Sequence, residues 1–355
     1  MRPFTRGPDY PQFSRLGKGV NDKSEALIPF SKRRFMKYSF LLCAAAISIA
    51  VLACDGPRSS EPARVTAGAG AGTRQLGDHG GGPPGSIVFY SRRGGALAKI
   101  YTMNADGGGV QAVTDGPGND LWPDLSPNGR YVAFASTRSG NSEIYVLDVA
   151  DGTLTNVSNN GGDDSWPRWS PNGREIVFHS NRDGNYNIFV VNADGGGLRR
   201  ITNDAALDQW PDWSPDGKQV AFRRGNDISV ADAAGEEQNV QRLTFLPATI
   251  DQMPAWSPNG RQIAFMSLRE GYCAVFLMNA DGSGQINLTP KGTTDAVSSW
   301  CSRAPSWSRN GKQIYFMSLR PSTGGDVEIF SMNAGGTGLT RLTNSAGEDG
   351  GPRAR

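Results

Sequence analysis

A repeat constrains this 355-residue chain more than any other feature of its sequence. The segment WPDLSPNGRYVAFASTRSGNSEIYVLDVADGTLTNVS begins at Trp122, and WPRWSPNGREIVFHSNRDGNYNIFVVNADGGGLRRIT begins at Trp166. WPDWSPDGKQVAF follows at Trp210, MPAWSPNGRQIAF at Met253 and APSWSRNGKQIYF at Ala304. The repeat prolines Pro123, Pro167, Pro211, Pro254 and Pro305 therefore stand 44, 44, 43 and 51 residues apart. A unit of this length cannot bury its own apolar faces, so several must stack or close into a ring.

Each unit reads as four short strands. A P-x-W-S piece comes first, and Ser-Pro-Asn-Gly or Ser-Pro-Asp-Gly then makes a tight turn, because Pro presets φ and Gly accepts φ > 0. The second strand (YVAF, EIVF, QVAF, QIAF, QIYF) is continuously apolar, which implies burial on both faces. The third strand ends in an Asp-Gly or Gly-Gly hairpin, and a short R-L-T or R-I-T strand completes the unit. The 46 glycines and 22 prolines suit many short strands rather than long helices. The predicted fold is all-β: a β-propeller of four-stranded antiparallel blades.

Counting the blades needs both ends of the repeat region. Residues 86–114 match strands two to four with no P-x-W strand before them, and Asp349-Gly350-Gly351-Pro352-Arg353-Ala354 supplies that strand with Ala in place of Trp. The count is six, with the first blade closed by both termini. The lost aromatic at Ala354 predicts a weak seam.

The P-x-W-S-P-[ND]-G turn, the F-x-S-x-R segment and the N-A-D-G-G…R-L-T ending resemble the repeats of the TolB propeller family over residues 86–355. That resemblance implies a six-bladed propeller that binds protein partners in the bacterial envelope, such as a peptidoglycan-associated lipoprotein. TolB-like proteins also carry an α/β domain before the propeller, for which the preceding segment leaves no room. Similar repeats precede the hydrolase domain of prolyl-oligopeptidase-like enzymes, and some similar propellers are pectin-degrading lyases with a histidine cluster and a metal.

Upstream of the repeats, MKYSFLLCAAAISIAVLAC begins at Met36, with an apolar run from about Phe40 to Ala53 that fits the core of a secretory signal. Val51-Leu52-Ala53-Cys54 resembles a bacterial lipobox, which makes Cys54 the expected lipidation site. The alternative is an uncleaved membrane anchor. Residues 1–35 read as an extension upstream of the true start at Met36, 36–54 as a lipoprotein signal peptide, 55–85 as a flexible Gly/Pro/Ala-rich tether and 86–355 as the propeller.

Charge narrows the function. Thirty-six basic against 34 acidic residues give +2. The first 35 residues hold 8 and 3, a net +5, so the remainder is about −3. A nearly neutral body lacks the basic stripe that nucleic acid requires. Two histidines and four cysteines leave little for a metal centre, and no metal or cofactor is expected. His79 falls in the tether. His179 stands where other blades place Tyr90, Ala135, Arg223, Met266 and Met317, so it reads as packed or solvent-facing, not a ligand.

Asp120, Asp164, Asp208, Asp251 and Asp349 each stand three residues before a repeat proline, with Ser302 breaking the series. Arg138, Arg182, Arg269 and Arg320, joined by Arg92 and Arg224, follow the second strand. The two sets emerge on one face, either as an ion-pair latch within each blade or as a carboxylate ring at the channel mouth that takes a cation or cationic group. Seven of the eight tryptophans belong to the proline motif and are expected to plug between blades. Trp300 lies outside it, in the long connection from Pro290 to Ala304, as a candidate partner contact. Cys273 and Cys301 fall in loops on the same face and are the candidate disulfide of an exported protein.

The resulting expectation is a monomeric, non-enzymatic envelope propeller, lipid-anchored on the periplasmic side, that binds or scaffolds protein partners. The alternative is a carbohydrate or small-molecule binding propeller, or a polysaccharide-degrading enzyme, using the channel mouth.

Overall fold

The structure, a computed structural model, describes residues 64–65, 87–290, 301–319 and 326–354. After the short β1 (Arg64–Val65), six four-stranded antiparallel blades follow in chain order. Blade one holds β2 (Ile87–Ser91), β3 (Lys99–Met103) and β4 (Gln111–Ala112). Blade two holds β5 (Asp120–Leu125), β6 (Tyr131–Ser136), β7 (Glu143–Asp148) and β8 (Leu154–Asn156), and blade three β9 (Asp164–Trp169), β10 (Glu175–Ser180), β11 (Asn187–Asn192) and β12 (Arg199–Arg200). Blade four is β13 (Asp208–Trp213), β14 (Gln219–Arg224), β15 (Asp227–Asp232) and β16 (Gln241–Arg242); blade five is β17 (Asp251–Trp256), β18 (Gln262–Ser267), β19 (Ala274–Asn279) and β20 (Ile286–Asn287). Blade six is β21 (Cys301–Trp307), β22 (Gln313–Leu319), β23 (Val327–Asn333) and β24 (Thr340–Arg341), after which β25 (Asp349–Ala354) pairs with β2 and completes blade one.

The first strands of successive blades, β25, β5, β9, β13, β17 and β21, pack on one another and form the inner ring. Each begins at its Asp on what we call the latch face and ends on the turn face, where the Ser-Pro-Asn-Gly turns lie. In blade two, the Ser126 hydroxyl donates to Asn128 Oδ1 (2.7 Å) and accepts the Tyr131 N–H (2.9 Å), while Gly129 takes φ 71°. The motif is thus a hydrogen-bonded unit whose glycine needs the left-handed region.

The second strands are buried almost throughout, with Val132, Phe134, Phe178, Phe222, Phe265 and Phe316 at 0% exposure between blades. The terminal T of R-L-T has its own role. Thr114, Ser158, Thr202, Thr244, Thr289 and Thr343 each accept, at 2.8 to 3.0 Å, the N–H of an aliphatic residue in the third strand. A short fourth strand is thereby held where few ladder bonds can form.

β1 pairs with β8 in the register Arg64↔Thr155, so two residues of the stretch read as a tether form an outer strand on blade two. The signal segment, Cys54, Trp300 and Arg320 lie outside the described residues.

Candidate functional site

On the latch face the repeated Asp and Arg meet blade by blade. Arg138 reaches Asp120 (2.8 Å), Arg182 Asp164 (2.9 Å), Arg224 Asp208 (2.8 Å) and Arg269 Asp251 (2.8 Å). All these carboxylates are fully buried. In blade one the partner of Asp349 is Arg93 (2.7 Å), not Arg92, because the S-x-R spacing from Ser91 selects the second arginine of the pair. Arg92 stands 3.8 Å from Glu348 instead. The serine of S-x-R also bonds the arginine Nε, at 2.9 Å in Arg138, Arg182 and Arg269, and each guanidinium lies over the phenylalanine of its F-x-S-x-R motif. In blade six Ser302 and Ser318 share a hydroxyl bond of 3.0 Å. One oxygen each of Asp120, Asp164, Asp251 and Asp349 has no hydrogen-bond donor among the described residues.

Inside the ring, the residue before each repeat proline adopts positive φ: Trp122 53°, Trp166 60°, Trp210 55°, Met253 57° and Ala304 53°. A bulge accompanies each, so the side chain is thrown off the strand and into the axis. Trp122 meets Trp166 at 4.3 Å between ring centroids and Trp166 meets Trp210 at 6.3 Å, while Met253 and Ala304 join the same buried cluster. These three tryptophans fill the channel rather than plugging between blades, which corrects the sequence reading. Bulky residues avoid φ > 0, and only the packing they create there offsets that cost. Gly351 fills this position in blade one (φ 57°), where a Cβ would sit 2.9 Å from the Trp122 ring. The tryptophans after the proline do link blades: Trp213 Nε1 donates to Arg168 O (3.1 Å) and Trp307 Nε1 to Ala255 O (3.0 Å), each on the preceding inner strand.

The turn face carries a site that the sequence reading missed. The residue that follows the repeat proline is Asp124, Arg168, Asp212, Ala255, Ser306 or Arg353 in the six blades, and the polar ones are buried. Asp124 Oδ2 accepts the Trp169 N–H and Asp212 Oδ2 the Trp256 N–H, both at 2.8 Å, tying one blade to the next. Asp212 Oδ1 also faces Arg353 (3.3 Å) from the opposite blade and Arg168 (3.8 Å). Burial pushes the Asp212 carboxyl above its usual range, and the two arginines pull against that shift. Above this network opens a cavity of about 260 Å³, walled by indoles and by the turn prolines. The signal that could have revealed it was the one motif position whose charge alternates between repeats.

The sequence profile of the TolB beta propeller domain matches residues 111–302, more than half the chain. The chain belongs to this TolB-type propeller family. Among solved structures, a putative TolB from Agrobacterium tumefaciens is 24% identical with a TM-score of 0.59, covering 75% of this chain and 90% of that one. TolB from Acinetobacter baumannii is 22% identical with a TM-score of 0.63, covering 76% of this chain and 66% of its own. At these identities the likeness is one of fold. An uncharacterized protein of Agrobacterium fabrum is 37% identical over 62 residues, 18% of this chain and only 21% of that relative's length.

Two further features of this TolB-type ring concern Cys273–Cys301 and His179. Cys273, just before β19, and Cys301, opening β21, form a disulfide with Cα atoms 4.3 Å apart, inside the reach such a bond requires. It ties blade five to blade six on the latch face, beside the Ser302 N–H bond to Cys273 O (3.0 Å). His179 is buried, accepts the Trp210 N–H at Nδ1 (3.3 Å) and is pushed down to about 3, first by burial and then by Arg168. It is a packing residue. No group of three or more metal-ligating side chains occurs among the described residues.

Proposed function

We propose that this chain is an exported, lipid-anchored propeller of the bacterial envelope that binds a protein partner through its latch face. The observation that carries the proposal is the Cys273–Cys301 disulfide, since such bonds persist in oxidising compartments, and the lipobox-like run ending at Cys54 is consistent with that destination. The same face exposes Leu97, Leu207, Phe245 and Leu246, from loops of three blades, with Phe245 63% exposed. Phe245 and Leu246, adjacent in the loop between β16 and β17, are the exposed apolar pair that a protein contact would cover. Family membership supports an interaction propeller, and a peptidoglycan-associated lipoprotein-like partner is the class that the TolB likeness suggests.

Two measurements test this reading. Metabolic labelling with a fatty-acid probe should mark the wild-type chain and not Cys54→Ser; equal labelling of both sinks the anchor. Crosslinking in intact envelopes should capture a protein with the wild type and lose it with Phe245→Asp/Leu246→Asp. Turnover in a glycan and hydrolase substrate screen, with no captured protein, would replace the proposal with a polysaccharide-degrading function.

A further inference from the structure

The turn-face cavity departs from the repeat at one place. Four blades present the proline of Ser-Pro-x-Gly to its wall, as Pro127, Pro171, Pro215 and Pro258, but blade six presents Arg309. Arg309 is exposed, and in the neighbouring blade Arg353 lines the same cavity. Two guanidinium groups (Arg309, Arg353) therefore stand around a mouth that also holds two carboxylates, Asp124 and Asp212, while Arg168 lies buried 3.8 Å from Asp212 and outside the lining. Both carboxylates accept backbone N–H groups from the next blade, and Asp212 is shared by two arginines. The lining charges balance in number, but both cations lie on the blade six and blade one side, and Arg309 among them is exposed.

Two buried donors point the same way. Ser306, only 1% exposed, and Trp256 both line the cavity, and neither the Ser306 hydroxyl nor the Trp256 indole N–H has a hydrogen-bond partner among the described residues. Buried donors left unpaired are costly, and an arriving acceptor removes that cost. Much of the rest of the wall is apolar, made of the turn prolines with Trp169, Trp213 and Trp307. At about 260 Å³ the space lies below the roughly 300–1,000 Å³ of sites that enclose a drug-sized ligand, so it takes the end of a chain rather than an extended one.

We propose that this mouth captures the C-terminal carboxylate of a peptide whose last side chain is apolar or aromatic. The carboxylate meets Arg309 and Arg353 with the Ser306 hydroxyl, and the side chain lies against the indole and proline wall. The site is on the face opposite the latch loops and does not depend on the anchor or on the latch-face partner.

The test uses fluorescein-labelled heptapeptides randomised at their last two residues, each made as the free acid and as the C-terminal amide, with binding to the purified propeller read by polarisation. Free acids ending in Phe, Leu or Trp should bind saturably, and amidation should weaken them about tenfold or more. Arg309→Pro restores the residue of the other blades; it should weaken the acids similarly while leaving the melting temperature unchanged and amide binding unaffected. A panel of hexuronic acids serves as the competing arm. Acids and amides binding equally, no saturable peptide binding, an unaltered affinity in Arg309→Pro, or binding of sugar acids without peptides would each overturn the proposal.

Discussion

At the scale of single residues, the latch is an ion pair whose value lies in what its absence would expose. Asp251 is fully buried, and Arg269 meets it at 2.8 Å while stacking 4.5 Å over the Phe276 ring. Removing the cation strands a buried carboxylate, so Arg269→Met should cost about 3 to 5 kcal/mol in denaturant unfolding. Adding Asp251→Ser should restore much of that loss, since blade six already carries Ser302 at this position. Equal losses in the single and double variants would show that the guanidinium acts by stacking alone. His179 supplies the pH dependence. Its folded value of about 3 lies below the ordinary 6.5, so only the unfolded chain takes up a proton in that window. Its contribution is full above about pH 6.5 and is lost as pH falls, at about 1.4 kcal/mol per unit. Glu143 acts oppositely: raised from 4.5 to about 6, first by burial, it makes stability fall as pH rises through that interval. Relative to wild type, His179→Met should therefore lose less stability on acidification from pH 6.5 to 4, and Glu143→Gln more.

The strands show how one element serves two ends. An inner strand starts with a latch aspartate, bulges at the residue before proline to fill the axis, and finishes with an aromatic that bonds the preceding blade. β25 follows this plan with small residues. Asp349 bonds Arg93, Gly351 takes the bulge, and Arg353 crosses the axis to Asp212. The missing aromatic at Ala354 is thus accompanied by a buried ion pair to the opposite blade. Deleting residues 349–355 should remove both devices and leave β2 with an unpaired edge, which favours strand-to-strand association. Light scattering and thermal melts should show aggregation and a lower transition. A truncated protein that stays monomeric at an unchanged melting temperature would mean that the ring closes without β25.

For the whole molecule, closure of a ring makes every inter-blade junction matter. The Cys273–Cys301 bond spans one of them and closes a loop of 28 residues, for which chain entropy in the unfolded state gives about 3 to 4 kcal/mol. Cys273→Ser/Cys301→Ser should lower stability by about that amount, and wild-type protein made under oxidising conditions should resist thiol labelling until reduced and unfolded. Labelling of both cysteines in the oxidised native protein would refute the bond. Because each blade buries its second strand against its neighbours, loss at one junction should be felt as a single cooperative transition rather than as release of one blade.

Much of this architecture was written in local sequence. Turn chemistry, apolar runs and a fixed period act within a few residues, so blade number, strand order and the pairing of Asp with Arg could be read from spacing alone. Even the displacement of Arg92 by Arg93 was present in the S-x-R spacing. What spacing could not reveal is where side chains go once six inner strands surround one axis. Trp122, Trp166 and Trp210 enter the channel because a bulge turns them off the strand, a backbone state that bulky residues adopt only when tertiary packing compensates. The turn-face network has the same origin: Arg353 and Asp212 are 141 positions apart in the chain yet 3.3 Å apart in space, because ring closure sets blade one opposite blade four. Periodic sequence determined the blades; the geometry of closing them decided what the axis holds and which charges meet at its mouth.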